Sequence, residues 1–341
     1  MLNTILGLNI NTGGLIATKY EVLVIQPNHT IRRVISTGVD INHIIEYDFD
    51  NRLIVVFQSN AKQIDLIDLN EWSHVKRFTL KGNPRHDCIA FDYINHFIFW
   101  IDFEIKSIKV LDINDIKNVY TICEVMSKNP RDLRINVLKS VLIWSSIGFE
   151  ANLMESNLDG SNRTILYNNS RQAFHLTIDY QTNSYYFIDI NDYSLISIDF
   201  NGNNEQNFMN SYELFHSLNS MFVLNRDLYL SNELMVYKIP EFYLRIPKAE
   251  VLFRTGRYGV QNNNYYNSSK TLTIDRRVIY GFKTLSPILR PNVRNRCEES
   301  HECQELCLPL RSGYRCLTHH NNTSHHIHIN DYIDNNNQKS L

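Results

Sequence analysis

The sequence predicts an all-β protein, a six-bladed β-propeller followed by a small, truncated cysteine-rich module. Three short motifs recur along the 341-residue chain in one constant order, and two of them have a period of 42 to 45 residues. A period of this length is typical of propeller blades, each of which is a four-stranded antiparallel sheet. Four cysteines within 20 residues near the end of the chain mark the small module.

The first motif is a polar turn that closes an alternating strand. Aspartate and asparagine side chains cap their own backbone, so they favour such turns. The turn recurs as Asp68-Leu69-Asn70, Asp112-Ile113-Asn114, Asn157-Leu158-Asp159 and Asp199-Phe200-Asn201, whose third residues are 44, 45 and 42 positions apart.

The second motif is an apolar run that ends in a small polar residue. Its copies start 43, 44, 43 and 43 positions apart, at Val56, Phe99, Ile143, Tyr186 and Tyr229. The third motif precedes each run and ends in Asp or Asn, which we assign to the end of the innermost strand of each blade. With a copy in a later segment, this gives a ring of Asp48, Asp92, Asn136, Asp179, Asn225 and Asp275.

Closure of the ring requires an inner strand for the first blade. Residues 14 to 36 supply three strands but no inner one, whereas Leu272-Thr273-Ile274-Asp275 repeats Leu176-Thr177-Ile178-Asp179 letter for letter. We therefore predict that the segment around Thr271 to Tyr280 pairs with the N-terminal strands. The propeller then spans residues 14–290 and hides most of its sheet edges.

These motifs, in this order and spacing, resemble the YWTD repeats of the low-density lipoprotein receptor family. The resemblance covers residues 14–318, because Cys297, Cys303, Cys307 and Cys316 are spaced like the first four cysteines of the EGF-like module that follows such propellers. The chain departs from the family pattern in three ways. Only Trp100 and Trp144 keep the tryptophan, only Asp102 and Asp189 keep the final aspartate, and the module at 291–318 lacks its last two cysteines.

The resemblance implies disulfides between Cys297 and Cys307 and between Cys303 and Cys316. It also implies a non-enzymatic, extracellular protein-binding module of a lipoprotein-receptor-related ectodomain, endocytic or signalling, whose partners are a protein ligand and neighbouring receptor modules. No signal peptide or apolar run of about 18 residues is visible. We therefore expect a piece of a larger receptor that makes no membrane contact itself.

Two further cysteines, Cys88 and Cys123, fall on the innermost and outermost strands predicted for one blade. Three strand spacings of about 4.8 Å separate them by roughly 14 Å. A disulfide tolerates a Cα separation of at most about 7 Å. We expect two separate, buried thiols.

Sequons predict glycosylation at Asn28, Asn162, Asn168 and Asn267, and chance sequons are common in so asparagine-rich a chain. Further sequons at Asn321 and Asn322 lie in the low-complexity segment 319–341, which we expect to be disordered. Residues 1–13 form a leader for which the sequence predicts no structure.

No catalytic or cofactor motif is present, and the Asp/Asn ring carries the one regular polar pattern. We expect no cofactor and no metal. A net charge of −2 gives no indication of nucleic-acid binding. A residue type that recurs in every blade favours a structural role, the capping of turns. The alternatives are a metal-dependent, lactonase-like hydrolase with its site in the channel and a nidogen-like matrix adhesion protein.

Overall fold

The computed structural model confirms the all-β fold and the six blades. It describes residues 14–19, 21–25, 31–36, 41–48, 50–71, 73–125, 129–149, 151–168, 171–244, 248–255, 272–274, 279–284, 291, 293, 295–297 and 303–318. Six blade sheets, antiparallel except for one added strand in the sixth, surround a central channel, and a seventh, two-stranded sheet belongs to the C-terminal module. The predicted leader and tail, Asn28, Asn267 and Asp275 lie outside the described residues.

Each blade is a meander that runs from the channel outward. The first three blades use β1 (Gly14–Thr18), β2 (Glu21–Ile25), β3 (Ile31–Ser36), β4 (Asn42–Asp48), β5 (Leu53–Gln58), β6 (Gln63–Asp68), β7 (Ser73–Thr79), β8 (Ile89–Asp92), β9 (Phe97–Asp102), β10 (Ser107–Asp112) and β11 (Asp115–Glu124). The next two use β12 (Pro130–Asn136), β13 (Val141–Ser146), β14 (Asn152–Asn157), β15 (Thr164–Tyr167), β16 (Ala173–Asp179), β17 (Ser184–Asp189), β18 (Ser194–Asp199) and β19 (Gln206–Asn210).

The sixth blade follows a short helix, α1 (Tyr212–Phe215). Its strands and the remaining ones are β20 (Ser220–Leu224), β21 (Asp227–Ser231), β22 (Met235–Ile239), β23 (Glu250–Thr255), β24 (Leu272–Ile274), β25 (Ile279–Thr284), β26 (Leu306–Pro309) and β27 (Tyr314–Leu317). Within the described ranges, no helix is long and apolar enough to cross a membrane.

The ring closes, but the predicted closing segment is wrong. Strand β24, which contains the repeated Leu-Thr-Ile sequence, pairs in parallel with β23 and adds a fifth strand to the sixth blade. The inner strand of the first blade is β25, which pairs antiparallel with β1 from Gly14–Thr284 to Thr18–Ile279. The sequence alone could not show which of these two short apolar segments closes the ring. The structure distinguishes them by packing, because β25 supplies Phe282 to the core between the first and sixth blades.

The repeated tryptophans and aspartates connect one blade to the next. Trp100 is fully buried among residues of the second and third blades, and its Nε1 donates to the Lys81 carbonyl at 3.1 Å. Trp144 packs in the same way between the third and fourth blades. The Asp102 carboxylate accepts from the backbone N–H of Asn83, in the loop that enters its blade, and from Lys109 Nζ. These residues therefore hold the blades together.

Asp189 repeats this arrangement in the fifth blade. Its Oδ1 accepts from the Gln172 and Asn191 backbone N–H groups at 3.2 and 3.0 Å, and its Oδ2 accepts from Arg171 at 2.9 Å. The carboxylate thus ties the entering loop to the turn after its own strand.

The Asp/Asn ring caps turns in four blades. Asp48, Asp92, Asn136 and Asp179 each accept a backbone N–H from the four-residue turn that follows them. Asn225 is an exception, because the turn of the sixth blade has only two residues. Leu224 pairs with Asp227, so Leu224 takes the place of the capping residue and Asn225 lies within the turn at φ 51°.

The C-terminal module packs against one face of the third and fourth blades. Its disulfides join Cys297 to Cys307 and Cys303 to Cys316, as the family resemblance implies. Leu306 and Leu308 enter the core of these blades. Three polar contacts surround them: Tyr120 Oη donates to Glu305 at 3.0 Å, Arg315 pairs with Asp159 at 2.7 Å, and Arg311 pairs with Glu155.

The turn at Asp159 and Gly160 connects this module to the propeller. Gly160 has φ 77°, and a Cβ on it would lie 2.7 Å from Cys123 Cβ, so no larger residue fits. Cys123 and Cys88 are both free thiols, separate as predicted, although only Cys88 is fully buried.

Truncation of Phe282 tests the assignment of the closing strand. Phe282 is 1% exposed between the first and sixth blades. We expect Phe282→Ala to lower the free energy of unfolding by about 3–5 kcal/mol, because it leaves a cavity. The matched control Phe149→Ala alters a fully exposed ring and should change it by less than about 0.5 kcal/mol. Urea unfolding measures both, and equal small effects would contradict the closure by β25.

Candidate functional site

The central channel is a large concave feature of the described residues. Its volume is about 590 Å³, and inner strands of all six blades contribute to its wall. We call the end where the inner strands begin the upper face, and the opposite end, where the module packs, the lower face. Six of the polar side chains that line the wall form what we call the mouth cluster: His43, His86, Asp87, Asp132, Arg134 and His175.

Two strand irregularities place the centre of the mouth cluster. The pairing of β12 with β13 shifts register between Arg131 and Arg134, and that of β16 with β17 shifts between Phe174 and Thr177. Within these bulges Asp132 and His175 adopt positive φ values of 46° and 56°. A bulge redirects side chains and is frequent beside functional sites. The backbone N–H of His175 donates to Asp132 Oδ2 at 2.8 Å, so the two bulges are joined.

Arg134 is held by main-chain carbonyl groups. Its Nε donates to the Leu176 carbonyl at 2.8 Å, and its Nη1 donates to the carbonyls of Leu133 and Asp87 at 2.8 and 3.3 Å. Its Nη2 donates to Asp132 Oδ1 at 3.2 Å. The guanidinium is therefore oriented by backbone, with one carboxylate to balance its charge.

The other side of the mouth cluster is built by the loop before β8. The His86 ring stacks on His43 with centroids 3.8 Å apart. The Asp87 carboxylate accepts from Arg85 at 3.2 Å and lies 3.5 Å from Arg131 Nη1. Three arginines thus accompany two aspartates and three histidines at this end of the channel.

Burial shifts the pKa values in this cluster in the directions that disfavour charge. Removal from water raises the pKa of Asp132 to about 7, against the opposing effect of Arg134. It lowers the pKa of His175 to about 4, with the help of Arg134. Burial also lowers the pKa of His43 and of His86. At neutral pH the three imidazoles are therefore uncharged.

The mouth cluster was missed by reasoning from the sequence. The residues predicted as repeat-structural lie between blades or cap turns, whereas Asp132 and His175 each lie four positions before a capping residue. One signal was available, since Asn-Pro-Arg occurs both at 83–85, two residues before Asp87, and at 129–131, immediately before Asp132. The repeat alone does not indicate a site, because these residues come together only when the closed ring places four inner strands side by side.

The upper face carries exposed apolar side chains around the channel. Phe149 is fully exposed, and Ile105 is 55% exposed, in loops between the second and third strands of adjacent blades. Tyr212, 62% exposed, stacks on His216 and contacts Tyr193 edge-on. The predicted glycosylation residue Asn168 is exposed in the loop between β15 and β16 on this face, whereas Asn162 is exposed in the turn between β14 and β15, on the side of the module.

In the described part of the chain, no group of three or more His, Cys, Asp or Glu residues is arranged to hold a metal ion. The carboxylates of the Asp/Asn ring instead accept from their own turns. Asp92, for example, accepts from the Ile94 and Asn95 backbone and from Asn95 Nδ2.

Solved structures share the fold at low sequence identity, and no family model matches the sequence. A chain in the crystal structure of a nidogen/laminin complex is 16% identical, with a TM-score of 0.57 over 67% of this chain and 89% of that one. Streptogramin B lyase is 11% identical, with a TM-score of 0.51 over 76% and 81%. TolB from Acinetobacter baumannii is 10% identical, with a TM-score of 0.50 over 69% and 62%. These likenesses show the propeller fold, which both binding proteins and enzymes use.

Replacement of Asp132 tests the charge state of the mouth cluster. The stabilisation from its raised pKa is complete below pH ~4 and is lost as pH rises through about 7. The stabilisation from the lowered pKa of His175 is present above pH ~6.5 and is lost as pH falls through about 4. The pH dependences of these two stabilisations therefore oppose each other between about pH 4 and 6.5.

Asp132→Asn removes the contribution of the Asp132 carboxyl and leaves that of the histidines. The free energy of unfolding should therefore increase more steeply with pH than in the wild type, by up to about 1.4 kcal/mol per pH unit. Urea unfolding at pH 5, 6 and 7 measures the slope. Glu71→Gln, at an exposed turn, is the control and should keep the wild-type slope. Parallel slopes for wild type and Asp132→Asn would refute this charge assignment.

Proposed function

We propose that this chain is a non-enzymatic, extracellular protein-binding module that belongs to a lipoprotein-receptor-related ectodomain and binds its ligand with the upper face. The observation that carries the proposal is the contrast between the two faces. The module covers the lower face at the third and fourth blades, while the upper face presents Phe149, Ile105 and Tyr212 around a charged opening.

The composition of the upper face suits protein recognition. Aromatic side chains and arginines dominate the binding energy of protein interfaces. Here Tyr212 lies in the short helix α1 and the rings are carried by a closed scaffold, so little conformational entropy would be lost when a ligand binds. Arg85 adds a cation 5.2 Å from the Phe103 ring, at the edge of the mouth cluster.

The two disulfides of the module support an extracellular location, since such bonds persist in oxidising compartments. The likeness to a chain of the nidogen/laminin complex supports a second candidate, a matrix adhesion protein that binds laminin. The two candidates share the same face and differ in the ligand.

Photocross-linking from the upper face tests the proposal. A photoreactive phenylalanine analogue at position 149 should cross-link a protein of the extracellular medium, and the same group at position 244, on the lower face, should not. Purified wild-type chain should compete for this product. Laminin is then added as a defined probe, and its selective capture would favour the matrix candidate.

Paired variants give the quantitative prediction. Phe149→Ala with Tyr212→Ala should weaken binding of the captured protein at least tenfold, because both rings leave the upper face. Tyr243→Ala with Leu244→Ala removes two exposed apolar groups from the lower face and should change the affinity less than twofold. Biolayer interferometry measures both, and the reverse pattern would overturn the proposal, as would hydrolysis of an ester or lactone by the purified chain.

A further inference from the structure

The channel itself is a cavity of the size that holds a small organic molecule. Its volume of about 590 Å³ falls within the range of roughly 300–1,000 Å³ that is usual for such sites. Between its polar groups the wall is apolar, and this apolar wall consists of Ile44, Ile89, Ile135, Ile178, Met221 and Phe282, with aromatic rings beside them.

Arg134 is a cation that is preorganised to face this cavity. Its side chain is 33% exposed and lines the wall. A guanidinium has five N–H donors. Three donate to main-chain carbonyls and one to Asp132, which leaves one N–H of Nη2 without a partner among the described residues.

The charges beside Arg134 do not cancel. Arg85, Arg131 and Arg134 lie near Asp87 and Asp132, an excess of at least one positive charge, although Arg131 is not part of the wall itself. Glu46 and Lys283, which also line the wall, pair with each other at 2.8 Å. An excess of positive charge favours an anionic partner.

We propose that the channel binds a small organic monocarboxylate with an apolar body. The carboxylate accepts the free Nη2 N–H of Arg134, and the apolar body lies against the isoleucines and Met221. A single free N–H on one arginine suits one carboxylate better than a doubly charged anion, and the apolar wall disfavours acetate or inorganic phosphate. This site concerns a free small molecule, so it goes beyond the protein-binding role proposed for the upper face.

Isothermal titration calorimetry with 4-phenylbutyrate tests the proposal. We expect one saturable site per chain, with an affinity at least tenfold higher than that of the neutral analogue 4-phenyl-1-butanol. Acetate should show no saturable binding. Equal affinities for the acid and the alcohol would contradict a role for Arg134, and the absence of saturable binding would overturn the site.

Three variants locate the bound probe. Arg134→Gln should weaken 4-phenylbutyrate at least tenfold, and Arg226→Gln, an exposed cation outside the channel, should not change its affinity. Since Arg134 also bridges strands, Thr177→Phe gives an independent test. It fills the cavity beside Arg134 and keeps every charge, and it should abolish binding with the same thermal unfolding midpoint. Undiminished binding to Thr177→Phe would overturn the proposal, whatever the cross-linking at position 149 shows.

Discussion

The structure depends on the pairing between the two ends of the propeller, β1 and β25. Gly14 lies opposite Thr284, and this contact makes the first blade a complete sheet. Both faces of that sheet are then buried, one against the sixth blade and one against the second. Without β25, apolar side chains on both sides of the blade would lose their partners, and an open edge would be exposed.

Ring closure also creates the candidate site. The mouth cluster takes His43 from the second blade, His86 and Asp87 from the third, Asp132 and Arg134 from the fourth and His175 from the fifth. These strands belong to four different sheets, so the circular packing of the blades brings their inner ends together, and the hydrogen bonds of Arg134 and Asp132 then join them. The uncharged histidines and the carbonyl-bound arginine follow from this shared burial. The loops of the upper face, which carry Phe149 and Tyr212, are positioned by the same packing.

The sequence predicted those features that repeat and missed those that do not. The number of blades and the burial of Trp100 could be predicted from one repeated sequence pattern, because each blade packs against its neighbours in the same way. The closing strand was misassigned because β24 and β25 are both short and apolar. The turn at Asn225 is two residues shorter than the corresponding turns of the second to fifth blades, and the spacing of the motifs did not indicate this difference. His43 and His175 are distant in sequence and line one channel only in the closed ring.

Native-state hydrogen exchange at increasing urea concentration is the most direct test of this account. If closure by β25 sustains the whole ring, the amides of β1 and β25 should open with the same free energy as those of β13, in the fourth blade, and only through global unfolding. Exchange of the β1 and β25 amides at a clearly lower free energy, with β13 still protected, would show that the rest of the propeller does not depend on closure.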